Sequence, residues 1–141
     1  MVFGTFDILH EGHRNLFLQA KQHGDYLIAV VATDKNTREI KGRPPSQSEK
    51  ERLEAVQSEF NVDLGVLGDE ADPYKVILTN KPDVICLGYD QKSCFEEKLS
   101  QKLAEFSLKI PIIRLNPYQP EKYKSSLLRK DSEKTPRRAS F

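Results

Sequence analysis

Three histidines occur in the chain, and two of them, His10 and His13, flank one glycine in "FGTFDILHEGH", residues 3–13. Imidazoles three apart allow three readings: a metal pair, a pair of donors acting on phosphate, or two unrelated surface side chains. A helical zinc pair runs HExxH with helix throughout. Here the spacing is HxGH, a glycine interrupts, and the sequence offers no obvious third ligand, so zinc is the weakest of the three. Phosphate suits the setting better. A helix beginning near Gly12 places His13 in its first turn, where free N–H groups and the helix dipole favour anions. His10 in the preceding loop points at the same spot, and Gly12 lets a phosphate approach the backbone closely. Thr5 adds a hydroxyl, and Gly4 lets the strand end turn sharply. On spacing alone, phosphate chemistry and two bland surface histidines stand level.

The elements that must position these groups follow from hydrophobic period. Strand-length apolar runs span Met1–Phe3, Tyr26–Ala32, Val62–Leu67, Val84–Leu87 and Ile110–Leu115, most nearly continuous in Val, Ile and Leu, as in strands buried on both faces. Helical segments lie between them. Gly12 to His23 carries Leu16, Phe17 and Ala20 on one side and stops at Gly24 as a C-terminal glycine. Ser48 and Glu51 form a capping box ahead of Leu53, Val56 and Phe60. Pro73 suits a first helical position before Val76, Ile77 and Leu78, and Phe95, Leu99, Leu103 and Phe106 step along one face of a further helix. Alternating strands and helices predict a doubly wound α/β fold with a five-stranded parallel sheet. Ligands of such sheets bind beyond the carboxyl ends of the strands, here "GTFD", "ATDK", "LGDE", "LGYD" and "RLNP". The first strand is short.

Composition narrows the function class. A chain of 141 residues suits one domain, and a net charge of +1 supplies no global field for nucleic acid or an anionic membrane. No apolar run approaches the ~18 residues of a membrane span, and a cytoplasmic location is expected. Cys86 in "DVICLG" reads as a small buried residue and Cys94 as an exposed thiol; two cysteines make no disulfide framework or zinc ribbon. Residues 1–130 read as the domain, and residues 131–141, "DSEKTPRRASF", as a mobile tail whose Arg137 and Arg138 are solvated.

"GTFDILHEGHRNLFLQAKQHGDYLIAVVATD", "KGRPPSQSEKERLEAV", "VDLGVLGDEAD" and "KPDVICLGYDQ" together resemble, in order over residues 1–115, the cytidylyltransferase-like nucleotidyltransferases, whose HxGH signature follows a GxFD turn. The resemblance implies a Rossmann-like fold and attack by an acceptor anion on the α-phosphate of a nucleoside triphosphate, with release of pyrophosphate. It implies His10 and His13 as donors to the α- and β-phosphates, Lys41 closing over them from a flexible "REIKGRPP" loop, and Arg52 as the family's catalytic arginine. Gly4, Thr5, Phe6 and Gly12 fall on the nucleotide side, with Gly88 and Asp90 in "GYDQ", Arg114, and Ser125 and Ser126 in "KSSLL". Without the family, Lys41 and Arg52 would read as solvated surface charge.

Arg114 and the serine pair lie farther apart than in the glycerol-3-phosphate cytidylyltransferase pattern. The whole looks more like the archaeal-type FAD synthetases, which adenylylate FMN. That likeness implies ATP and FMN as partners, with Asp7, Asp34 and Tyr89 on the acceptor side and Tyr118 and Tyr123 as further candidates for a flavin slot. The alternative is a cytidylyltransferase using CTP and glycerol 3-phosphate. A non-catalytic nucleotide-binding module is the reading from another class. Mg²⁺ or another divalent cation is expected on the nucleotide phosphates and water rather than in a protein cage. The family's frequent pairing allows a homodimer.

Overall fold

Five short parallel strands form the centre of the protein in a computed structural model that describes residues 1–117. They are β1 (Val2–Gly4), β2 (Ile28–Val31), β3 (Leu64–Leu67), β4 (Ile85–Leu87) and β5 (Ile112–Arg114), paired in the order β3-β2-β1-β4-β5. Five helices connect them: α1 (Glu11–Lys21), α2 (Asp34–Lys41), α3 (Glu49–Gln57), α4 (Lys75–Asn80) and α5 (Ser93–Glu105). From β1 the chain steps through β2 to β3, then returns past β1 to place β4 and β5 on its other side. Right-handed crossovers put helices on opposite faces for the two directions of travel. The order reverses between β1 and β4, the kind of switch point beside which open α/β sheets bind ligands.

The continuous apolar runs are explained by two separate cores. Val2, Ala29, Val31 and Cys86 face one core with Phe17 and Ala20 of α1 and Val56 of α3. Met1, Ile28, Val30, Ile85 and Leu87 face the other, with Val76 and Ile77 of α4 and Leu99 and Leu103 of α5. Alternate residues of β1, β2 and β4 thus bury on opposite faces of the sheet. Leu99 has no exposed surface, so Leu99→Ala would cost about 2–5 kcal/mol.

Several local expectations change. Residues 34–41 form α2, so Lys41 ends a helix instead of riding a flexible loop. That helix has no apolar stripe to announce it, and Ile40 is 69% exposed. Its ends define it: the Thr33 hydroxyl accepts from the Asn36 N–H, and Gly42 closes it in the left-handed conformation at φ 75°. α1 ends on Gln22 in an ordinary helical conformation, and Gly24 has no positive φ, so no left-handed glycine stops it. The Ser48–Glu51 capping box is present, but α3 ends at Gln57 and leaves Phe60 98% exposed, off the apolar face. Pro73 precedes the N-cap Tyr74 of α4 and is not its first helical residue. Cys86 is buried and Cys94 exposed. No helix among the described residues is long and apolar enough to cross a membrane.

Candidate active site

β1 ends at Gly4, and the turn that follows is made by Phe6, whose φ of 52° is left-handed. A Cβ on Gly4 would lie 2.8 Å from Cζ of the Phe6 ring. Gly4 therefore admits that ring against the strand end; the sharp bend expected of it belongs to Phe6. A left-handed non-glycine residue costs on the order of 1–3 kcal/mol and persists only where its surroundings hold it. Here the buried ring packs on Phe17 at 5.3 Å and meets His13 edge-on at 5.6 Å. Phe6 forms the apolar floor of the histidine pair.

His10 is the N-cap of α1, and its Nδ1 accepts from the Gly12 N–H at 3.0 Å. An acceptor Nδ1 carries no hydrogen in the neutral ring, so the hydrogen resides on Nε2. The cap therefore makes His10 a directed donor. The His10 and His13 rings lie 4.0 Å apart between centroids. Burial lowers the His13 pKa to about 3, helped by the neighbouring His10, Lys41 and Arg14, with only the Ile8 backbone acting in the opposite sense. His13 is thus a neutral imidazole beside cationic neighbours. Glu11, between the histidines, is buried and pairs with Arg14 at 2.8 Å, which also reaches Glu59 at 2.7 Å.

A second tier holds the floor and its loops. Arg52 has no exposed surface. Its Nε donates to the Gln47 carbonyl at 3.0 Å, one terminal nitrogen donates to the Thr5 and Ala32 carbonyls at 2.8 Å each, and the other donates to Asp34 Oδ1 at 2.7 Å. The guanidinium ties the ends of β1 and β2 to the segment before α3. Asp34 is held by that pair. Asp7 is buried and accepts from the Ser46 and Gln47 N–H groups at 2.8 and 2.9 Å, fixing the same segment to the turn after β1. Asp7, Asp34 and Arg52 thus shape the backbone around the histidines. Lys41, exposed at the end of α2, lies near enough for its charge to act on His13.

Across the switch point, the loop after β4 is held from two sides. The Gly88 N–H donates to Gln91 Oε1 at 2.9 Å, and Gln91 Nε2 donates to the Phe3 carbonyl at 3.3 Å. Arg114 at the end of β5 donates to the Gly88 and Gln91 carbonyls at 2.9 and 2.8 Å and pairs with Glu96 at 2.6 Å. A Cβ on Gly88 would lie 3.3 Å from Asp90 Oδ1 and 3.6 Å from a Leu16 methyl. Glycine at that position lets the loop pack over α1 with Asp90 exposed beside it. Tyr89 is half-buried in the same loop. Ser125, Ser126, Tyr118, Tyr123 and the 131–141 segment lie outside the described residues.

Motif reading thus finds the histidines, the strand-end glycines and the charged residues around them. It does not find the Gln91 side chain, the Thr33 cap, or buried Asn36, whose Nδ2 donates to the Asp69 carbonyl at 3.2 Å. These are ordinary polar residues in sequence, and only their bonding partners distinguish them.

The sequence pattern of the cytidylyltransferase-like family matches residues 1–131. The chain belongs to that family. This cytidylyltransferase-like protein is 43% identical over 113 residues to a FAD synthase of Ferroglobus placidus, spanning 79% of this chain and 72% of that one. It is 39% identical over 131 residues to a FAD synthase of Thermoplasma volcanium, spanning 92% and 90% of the two chains. Among solved structures it is similar to one described as the lipopolysaccharide core biosynthesis protein from Thermoplasma volcanium, with a TM-score of 0.77 and 39% identity over 84% of this chain and 96% of that one. A protein of unknown function from Archaeoglobus fulgidus, at 24% identity and a TM-score of 0.58, shares the fold. As a nucleotidyltransferase of this family, the cytidylyltransferase-like protein places its histidine pair at the carboxyl end of β1, beside the reversal in strand order.

Proposed function

We propose that this nucleotidyltransferase joins the AMP unit of ATP to FMN, producing FAD and pyrophosphate. One observation carries the reading. The capped His10 and neutral His13 meet beside Lys41 at the switch end of the sheet, in a chain whose near-full-length relatives at about 40% identity are FAD synthases.

In the proposed reaction, a phosphate oxygen of FMN attacks the α-phosphorus of ATP. The new P–O bond forms as the bond to the β-phosphate oxygen breaks, and pyrophosphate leaves with the electron pair. A phosphate monoester has a second pKa near 6, so the attacking group is mostly dianionic at neutral pH and needs no general base. The protein's task is positioning and stabilising charge on the phosphoryl oxygens. His10 Nε2–H donates, His13 adds a neutral imidazole, and Lys41 supplies positive charge. Arg52, assigned to catalysis by the family likeness, serves by holding Thr5 and the 46–48 segment in place. Asp90 is assigned to the nucleoside side, Tyr89 to the acceptor, and the serines at 125 and 126 to the distal phosphates.

Among the described residues no group of three or more His, Cys, Asp or Glu side chains is arranged to hold a metal ion. Mg²⁺ or another divalent cation would be carried by the triphosphate, where it would neutralise phosphate charge.

The test is to incubate the protein with Mg²⁺, each of ATP, CTP, GTP and UTP, and either FMN or glycerol 3-phosphate, measuring pyrophosphate and the nucleotide product. FAD from ATP plus FMN is expected, and EDTA should abolish it until Mg²⁺ is restored. A CDP-linked product from CTP, with no FAD from ATP, would replace the acceptor and base while keeping nucleotidyl transfer. Nucleotide binding without turnover of any pair would favour the binding-module reading.

A further inference from the structure

β1 and β4 are neighbours in the sheet, yet a single residue pair, Val2 with Cys86, is in register between them. The ladders on either side, β1 with β2 and β4 with β5, each hold three. The Cys86 N–H donates to the Met1 carbonyl at 2.9 Å. Parallel ladders repeat every second residue, so the next rung would run from the Gly88 N–H to the Phe3 carbonyl. That rung is replaced. Gly88 donates instead to Gln91 Oε1 at 2.9 Å, while Gln91 Nε2 donates to Phe3 at 3.3 Å.

A primary carboxamide is in effect a peptide unit free of the backbone, with an acceptor and donors on one plane. Placed between two strand ends, it satisfies both backbone groups while keeping the strands a side chain apart. Leaving the buried Gly88 N–H unpaired would carry a desolvation penalty, so the amide is needed wherever the strands are held open. Arg114 grips the Gly88 and Gln91 carbonyls from the β5 side, fixing the loop that carries the amide.

We propose that Gln91 is a wedge that holds β1 and β4 apart at the switch point and so sets the gap into which the nucleoside of the triphosphate enters. This rests on the nucleotidyl-transfer reading and deepens it. Gln91 is a positioning residue: it touches the two strand ends, not the reacting phosphates. Its loss should weaken nucleotide binding and spare the chemical step.

The test compares the unaltered full chain with Gln91→Met, which removes both hydrogen bonds at similar length, and Gln91→Glu, which keeps an acceptor for Gly88 but sets an oxygen against the Phe3 carbonyl. Calorimetry with Mg²⁺ and each of the four nucleoside triphosphates, without acceptor, gives Kd; steady-state rates give KM and kcat, and thermal melting checks folding. For the preferred nucleotide, Kd and KM should rise about tenfold or more in Gln91→Met, with kcat within about threefold of the parent. A merely structural glutamine would lower the melting temperature without splitting KM from kcat. Kd within about twofold of the parent, or kcat falling at constant KM, overturns the wedge alone. If Gln91→Met fails to fold, Gln91→Glu decides by the same thresholds. Failure of the unaltered chain to bind any of the four nucleotides overturns nucleotidyl transfer, and the wedge with it.

Discussion

The His10 and His13 rings lie 4.0 Å apart between centroids, their planes tilted by 39°. Two imidazoles at this distance cannot both be protonated without strong repulsion. His10 is held by its cap, and desolvation keeps the His13 ring neutral. Because His10 Nδ1 is occupied by the Gly12 N–H, its donor role and its capping role use different nitrogens and can be separated. His10→Asn keeps a good N-cap but loses the Nε2 donor. Its kcat should fall roughly 10²-fold, the scale for removing one preorganised donor, while its urea midpoint stays near the parent's. Full activity in that variant would remove His10 from the chemical step.

The His13 pKa also fixes a pH dependence of stability. It is lowered to about 3 by burial first, then by His10, Lys41 and Arg14. The unfolded ring titrates near 6.5. Between those values the unfolded chain binds a proton that the folded chain does not, so stability falls as pH drops from about 6.5 towards 3. Above about 6.5 both states are neutral there, and the contribution is complete. The Asp63 and Asp69 carboxyls are lowered instead, and their contributions are lost at more acid pH. His13→Asn should therefore lose less melting temperature than the parent between pH 7 and pH 5. Parallel melting profiles for the two proteins would contradict the buried neutral imidazole.

Arg52→Ala should be costly through folding. It leaves the Thr5, Ala32 and Gln47 carbonyls and the Asp34 carboxylate without their partner. Asp34 is about one-third exposed and can be resolvated, but leaving a buried hydrogen-bond acceptor unsatisfied costs about 1–3 kcal/mol, measurable by urea unfolding. Arg52→Lys should recover only part, since one ammonium cannot span these acceptors. Unchanged stability with lost activity would return Arg52 to direct phosphate contact.

Gly4→Ala should destabilise by about 1–3 kcal/mol through overpacking, because its methyl would sit 2.8 Å from the Phe6 ring. Pairing it with Phe6→Leu should give back part of that loss in a double-mutant cycle, since the two sites are in contact. Strict additivity would show that Gly4 serves something other than the ring.

The sheet and most helices are legible from the chain because burial on both faces demands unbroken apolar runs such as "YLIAVVA", and because caps such as Ser48 with Glu51 are local. The histidine pair is legible for the same reason: His10, Gly12 and His13 lie within one turn, so spacing alone brings them together. α2 escapes that reading because its ends are set by Thr33 and Gly42 while its faces carry no apolar period. The roles of Arg52 and Gln91 escape it for a deeper reason. Arg52 bonds to oxygens at positions 5, 32, 34 and 47, and Gln91 to the backbone at positions 3 and 88. Hydrophobic period and the order of segments determined that this chain folds as an α/β sheet, and one local motif brought the histidine pair together. Only the tertiary structure decided which polar side chains are consumed holding strand ends in place, because a hydrogen bond depends on distance in space and not on separation along the chain.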